Sequence, residues 1–311
     1  MVRKKVLIFG ASGQIGSKII RKATLNNHKV TAVTRNIHRS LFLKTQAPLG
    51  YLDIEECNIF DENNLKKLIQ EHDVCINLVG ILFEKKNNTF KNIHVNLPSV
   101  LSRICKENNL DQFIHVSALG IEEAIDSDYA KSKLEGEKLV KENFEKSTIL
   151  KPSIVFSQDD GFSTKFLSLL NLLPFFPIFY NTKFTPIHCT DFSKIIVEVI
   201  NRNICSTTIE CVGPQVLTFR EILEILLKLI NKKRILVPIP ILISKVMVKF
   251  FELMPNPLMT LDQLKLLKYD NILSGKYKSN KDFGIQSNLQ FENEVKKYSF
   301  MWADGGEYSK K

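Results

Sequence analysis

Arginine is scarce in this 311-residue chain: only eight of its 43 basic residues are Arg, and none cluster among aromatics. A nucleic-acid partner is therefore not expected, although the formal net charge is +10. The excess positive charge leaves attraction to an anionic membrane surface as the alternative. Cysteine is sparse too. The six (Cys57, Cys75, Cys105, Cys189, Cys205, Cys211) form no CxxC, and the six histidines show neither HxH nor HExxH. No metal site is expected, and the thiols should be reduced and mostly buried.

Long apolar runs are also missing. The stretch 166–180 is short and interrupted by Pro174 and Pro177, and 235–254 carries Lys245, Lys249 and Glu252, so neither should span a bilayer. On a helix from about Ile241 those three charges share one narrow face. The rest of that helix should be packed core or, as the second choice, an interfacial surface. The opening MVRKKVLIFGAS has four apolar residues before its glycine turn, too few for an export signal. The expected location is cytoplasmic, with peripheral contact to the cytoplasmic face of the inner membrane as an extension.

What is present is βα alternation. KVLIF, KVTAVTR, YLDIEEC, DVCINLVG, QFIHVSAL and STILKPS read as strands, with helix-like segments between most of them. Short β-branched strands without hairpin turns imply a parallel sheet covered by helices on both faces. The expected fold class is α/β, a doubly wound parallel sheet of the Rossmann type with a smaller C-terminal substrate region. Residues 1–152 should form the nucleotide-binding domain, with its sheet completed by later segments. Residues 153–300 should form the substrate region, and 301–311 a polar tail.

The stretch VLIFGASGQIGSKII sets Gly10, Gly13 and Gly16 between an apolar strand and a helix. That context is the dinucleotide signature. Gly10 permits the tight turn, Gly13 the approach of a diphosphate, and Gly16 close packing of helix on sheet. Ser12, Gln14 and Ile15 belong to the same turn, and the helix N-terminus favours an anion. The second strand runs into AVTRNIHR, which offers Arg35, with Arg39 nearby, where an NAD-selective site usually has an acid. NADP(H) is thus preferred and NAD(H) possible. Asn58 or Asp61 could meet the adenine edge. Asn77 and Gly80, ending the fourth strand, should lie beside the cofactor.

In DYAKSKLEGEKLV, Tyr129 precedes Lys133 by four positions. At 100° per residue, Lys131, Glu135, Lys138 and Glu142 form a solvated side, and Tyr129, Lys133, Gly136, Val140 and Phe144 the apolar side. A lone ammonium there needs a partner, which a phenol and ribose hydroxyls would provide. A neighbouring ammonium and an oxidised nicotinamide would favour the phenolate, and Tyr129 could exchange a proton with a substrate while hydride moves.

These two motifs, GxxGxxG at 10–16 and YxxxK at 129–133, resemble the short-chain dehydrogenase/reductase superfamily, and the length fits its extended members. NLVGILFE, FIHVSALG, DYAKSKLEGE, LKPSIVFSQDDGF, FTPIHCTDF and LLKYDNILS look like the atypical branch containing the alpha-subcomplex subunit nine of respiratory complex I and its bacterial relatives. The resemblance places a catalytic serine at or beside Ser117, with Ala118 and Leu119 at the positions that extended members often use. It suggests Asn96 as a supporting asparagine, although Pro98 follows closely, and sets Pro152 beside the nicotinamide. Thr190 or Asp191 reads as a helix N-cap.

For such a chain the resemblance implies a nicotinamide dinucleotide, with a quinone-related small molecule or a respiratory complex as further partners. Two other readings stand beside it. One is a soluble reductase, epimerase or dehydratase for a metabolite such as a nucleotide sugar, and the other a structural or assembly subunit that holds its nucleotide.

Overall fold

The computed structural model describes residues 2–254 and 257–306. Its centre is an eight-stranded, wholly parallel sheet. The first six strands are β1 (Lys5–Phe9), β2 (Lys29–Thr34), β3 (Leu52–Glu56), β4 (Val74–Asn77), β5 (Gln112–Val116) and β6 (Ser147–Pro152). They run in the order 3-2-1-4-5-6, and Thr207–Cys211 and Lys278–Ser279 extend the sheet beyond β6. β1, β4 and β5 are buried almost throughout, and mostly apolar, because both faces of the sheet are covered.

On one face α1 (Gln14–Leu25) packs with a helix from much later in the chain, α6 (Cys189–Asn201), over β1, β2 and β4. On the other face lie α2 (Glu62–Ile69), α3 (Leu97–Glu107) and α4 (Asp128–Asn143). The polypeptide leaves this layered body after β6, returns for α6 and Thr207–Cys211, leaves again, and returns for Lys278–Ser279. Between these returns and after the last of them it builds a second core from α5 (Ser163–Leu172), α7 (Phe219–Leu229) and α10 (Phe291–Ser299), in which Phe156, Phe219 and Phe291 are fully or almost fully buried.

The expected polar tail begins inside structure: Phe300–Trp302 form a 3-10 turn, and Trp302 Nε1 donates to Ser168 Oγ at 2.9 Å. Residues 307–311 of that tail lie outside the described residues.

One expectation is corrected here. Most of the apolar residues of α8 (Ile241–Phe251) are not core. Only Ser244 and Val248 are buried, while Leu242, Val246 and Phe250 are each about two-thirds or more exposed, at 74%, 73% and 68%. α8 packs mainly on the short α9 (Leu261–Leu266), which covers one side of it. Periodicity shows that a helix has an apolar side, and only the neighbours decide whether that side is covered. No described helix is long and apolar enough to cross a membrane.

Candidate functional site

The strand order reverses between β1 and β4, and the loops leaving their C-terminal ends part there to open a cleft. Its volume is about 360 Å³, and its walls include Gly10, Ser12, Gly13, Thr34, Arg35 and Gly80. Gly10 has φ +80°, and a Cβ there would lie 3.2 Å from the Leu78 carbonyl carbon, so the turn both needs glycine and brings the two loops together. Gly13 caps α1 with no side-chain hydrogen bond, leaving the first N–H groups of the helix without a side-chain cap.

None of the residues around this cleft is acidic. The exposed Arg35 guanidinium has no hydrogen bond or ion pair among the described residues. The buried Thr34 Oγ1 likewise has no hydrogen-bond partner among them. A bare helix N-terminus, a free guanidinium and an orphaned hydroxyl on one cleft suit a ligand that carries several anionic groups.

The second group of residues gathers on α4. Ser127 and Asp262 together cap it: the Ser127 hydroxyl accepts from the Ala130 N–H, and Asp262 accepts from the N–H groups of Asp128 and Tyr129 at 2.8 and 2.9 Å. Lys133 faces inward at 4% exposure, its Nζ donating to the Val116 carbonyl at 3.2 Å. The same ammonium lies 3.5 Å from the position a Gly80 Cβ would take, directly behind that residue of the cleft wall. Burial pulls Lys133 down to about 8, against the opposing pull of Glu137.

Tyr129 is half-buried, with its ring edge-on to Phe90 and His94, and its hydroxyl has no hydrogen-bond partner among the described residues. Burial pushes it up to about 12. This departs from the expected phenolate. Lys133 is bound to the Val116 carbonyl, and desolvation alone governs the phenol.

His94 ties these pieces together. Its Nε2 must accept, because its partner is the Ile81 N–H at 3.1 Å. Nδ1 therefore carries the proton and donates to Ser132 Oγ at 3.0 Å, and Ser132 in turn donates to the Tyr129 carbonyl. Burial, then the Lys133 charge, hold this neutral ring down to about 3. His94 lies in a π-helical turn, Lys91–Asn96, that comes so close to α4 that a Cβ on Gly136 would be 1.9 Å from the His94 carbonyl oxygen.

A second cavity, of about 480 Å³, continues from the α1 N-terminus, bordered by Gln14, Ile15, Ser117, Tyr129 and Pro152. Behind it is a buried ionic cluster. Ser117 donates to Glu137 at 2.5 Å, and Lys151 Nζ pairs with Glu137 at 2.9 Å and also with Glu122. Burial works against the Lys151 charge, but the two carboxylates outweigh it and hold the ammonium above its ordinary range. The Ser117 hydroxyl proton is thereby turned toward Glu137 and away from the cavity.

The other sequence candidates are placed as follows. Gly16 lies under the turn, where a Cβ would be 2.5 Å from the Ala11 carbonyl oxygen. Asn77 is fully buried beneath the cleft, accepting from the Val79 N–H and contacting His115. Asn58 is exposed and bonds within its own loop to the Phe60 N–H, while its neighbours Cys57 and Ile59 form the wall. Asp61 caps α2. Asn96 is exposed and donates to Asn92, because the π-helical turn brings His94 inward and leaves Asn96 on the outer side. Arg39 is exposed and lies off the cleft wall.

The N-cap of α6 is His188, whose ring accepts from the Thr190 N–H, so neither Thr190 nor Asp191 has that place. Asp191 instead accepts from the N–H groups of Asn288 and Leu289.

Sequence reasoning missed His94, Glu137, Lys151 and Asn271. Asn271 accepts from Ser153 at 2.6 Å and donates to the Leu119 carbonyl, closing the second cavity from the far side. Its segment was legible only as LLKYDNILS, without a role.

A model of the NAD dependent epimerase/dehydratase family matches residues 6–172. The chain is 26% identical over 281 residues to the NADH-ubiquinone oxidoreductase 40 kDa subunit, mitochondrial, of Neurospora crassa, covering 90% of this chain and 74% of that protein. It is 26% identical over 284 residues to NADH dehydrogenase (ubiquinone) 1 alpha subcomplex subunit 9, mitochondrial, of Mus musculus, covering 90% and 75%. Among solved structures, the UDP-glucuronic acid 4-epimerase of Bacillus cereus, in complex with UDP-glucuronic acid and NAD, superimposes with a TM-score of 0.64. It is 19% identical, and the match spans 85% of this chain and 97% of that one. At that identity the likeness concerns the fold.

Proposed function

The chain belongs to the NAD dependent epimerase/dehydratase family, and from that premise we propose that it binds a nicotinamide dinucleotide, NADP(H) in preference to NAD(H), along its two adjoining cavities. The observation that carries this reading is Lys133, a buried ammonium directly behind Gly80 of the cleft wall, without a carboxylate contact of its own among the described residues. Gly10, Ser12 and Gly13 would receive the diphosphate at the α1 N-terminus, and Arg35 the 2′-phosphate. Lys133 would hold the nicotinamide ribose beside Gly80, with Pro152 and Ile15 bordering the ring.

When bound, this cofactor supplies or accepts a hydride. Held near 12, the Tyr129 phenol keeps its proton throughout the physiological range. It is therefore suited to protonate a carbonyl oxygen as hydride reaches the carbonyl carbon, giving a carbinol, after which solvent restores the phenol proton.

Similarity to the Neurospora and mouse subunits supports a further association with a respiratory complex and a quinone-related ligand. A second reading, in which the nucleotide is held without turnover, is favoured by one observation: the Ser117 hydroxyl is engaged by Glu137.

Lys133 provides the test. Ribose and phosphate oxygens near a cation favour its charged form, so binding would raise its value above about 8 and take up a proton. Affinity should be fully present below pH 8 and should fall as pH rises toward the bound value, by up to about tenfold per pH unit. Calorimetric titration of NADPH across this range should show that fall. Lys133→Met should bind more weakly at neutral pH and lose the dependence. A wild-type affinity that stays flat through pH 9 would remove Lys133 from the site.

We also place the chain peripherally at a membrane, through α8. Its exposed Leu242, Val246 and Phe250 share the helix with Lys245 and Lys249, which suits an anionic surface. Sedimentation with phosphatidylglycerol vesicles should occur at low salt and decline as the screening length shortens to about 8 Å at physiological ionic strength. Leu242→Glu with Phe250→Glu should abolish it. If the wild-type chain fails to sediment even at low salt, the location is wrong.

A further inference from the structure

Behind the Tyr129 cavity lies another of about 420 Å³, and Leu82, Ile154, Gly161, Phe162, Leu266 and Leu267 border both. The two are thus separated by no more than one layer of side chains. Gly161 contributes no side chain to that layer, and nothing lies within 4 Å of the position its Cβ would take.

Among the described residues, the walls of the outer cavity are mostly hydrocarbon. Phe166 stacks edge-on with Phe162, Phe176 and Phe219 along one wall. Among the described residues, Lys165 and Gln263 are the only polar side chains bordering it, and both reach backbone: Lys165 Nζ donates to the Leu258 carbonyl at 2.5 Å and Gln263 to that of Leu82. With so few polar side chains in these walls, a sugar would leave most of its hydroxyls unpaired, and burying them so would cost several kcal/mol. Met247 and Phe251 of α8 also line it, and on the same helix Leu242, Val246 and Phe250 face outward.

We propose that this outer cavity takes the apolar tail of a membrane-derived carbonyl substrate whose head reaches Tyr129. The substrate class is accordingly a ketone- or quinone-type head on an alkyl or prenyl chain. This rests on the reading of Tyr129 as the proton donor, and it adds what that reading lacks, a criterion for the rest of the substrate. The two cavities, at about 480 and 420 Å³, each lie in the range of ordinary small-molecule sites, and together they suit an elongated, two-part ligand. α8 then has two functions, with its inner side lining the channel and its outer side resting on the bilayer that supplies the substrate.

The test is calorimetric titration of the full chain with 2-butanone, 2-hexanone, 2-octanone and 2-decanone, each with and without saturating NADPH. Kd should fall roughly fourfold per added methylene, the fold-change equivalent to ~0.8 kcal/mol per buried CH₂. Leu169→Glu on α5 and Met247→Glu on α8 put a charge into the lining from two different helices, each at a half-buried position. Each should flatten the series while leaving NADPH binding unchanged. Two variants guard against one that fails to fold.

A flat series in the wild-type chain, or a gradient that survives both substitutions, overturns the proposal. NADPH binding is read separately in the same titrations. A chain-length gradient without NADPH binding would support the tail channel and refute only the dinucleotide reading.

Discussion

Tyr129→Phe will lower the rate of NADPH-dependent carbonyl reduction by roughly 10²- to 10⁴-fold, the usual contribution of a positioned general acid. Cofactor affinity will be almost unchanged. The asymmetry follows from the contacts. The ring packs edge-on against Phe90 and His94, and phenylalanine retains both contacts. The hydroxyl has no partner among the described residues, so its removal orphans no buried group. Only the transferable proton is lost, which should appear in kcat, with little change in the Kd of the cofactor. Following the loss of reduced-nicotinamide absorbance with 2-decanone as substrate would measure it. A variant of full activity would make Tyr129 a packing residue, and a wild-type chain that binds but never turns over would favour the structural reading.

Arg35→Ala will weaken NADPH binding by about 1.5–3 kcal/mol, roughly 10- to 150-fold, and NADH binding far less. Arg35 borders the cleft at the end of β2 with no partner of its own among the described residues. Because it holds no other element in place, its removal should leave the fold intact and register almost wholly in the 2′-phosphate interaction. Its exposure also makes the effect dependent on salt, so both titrations belong at one ionic strength. Equal losses for the two cofactors would remove the assignment.

The parts of the site that were legible in the sequence are those governed by local geometry. A glycine turn between an apolar strand and a helix leads directly to Gly10 at positive φ and an uncapped α1. Helical periodicity was enough to put Lys133 inside and Lys131, Glu135 and Lys138 outside. The doubly wound sheet followed from apolar strands alternating with helices, and its order has the expected reversal between β1 and β4.

What remained hidden depends on partners distant in the chain. Ser117 meets Glu137, and Glu137 meets Lys151, only after β5, α4 and β6 assemble. Asn271 reaches Ser153 across 118 positions. The inward turn of His94, at the expense of Asn96, needs a π-helical segment, for which no composition signal was recognised. The outward face of α8 was misread as core because nothing in its own residues says what covers it.

Determining the structure of the chain with NADPH bound tests the central claim most directly. The account predicts the diphosphate at the N–H groups of α1 beside Gly13, the 2′-phosphate on the Arg35 guanidinium, and Lys133 Nζ within hydrogen-bond distance of the nicotinamide ribose. A dinucleotide bound elsewhere, or one seated in the cleft with Lys133 still directed only at the Val116 carbonyl, would contradict it.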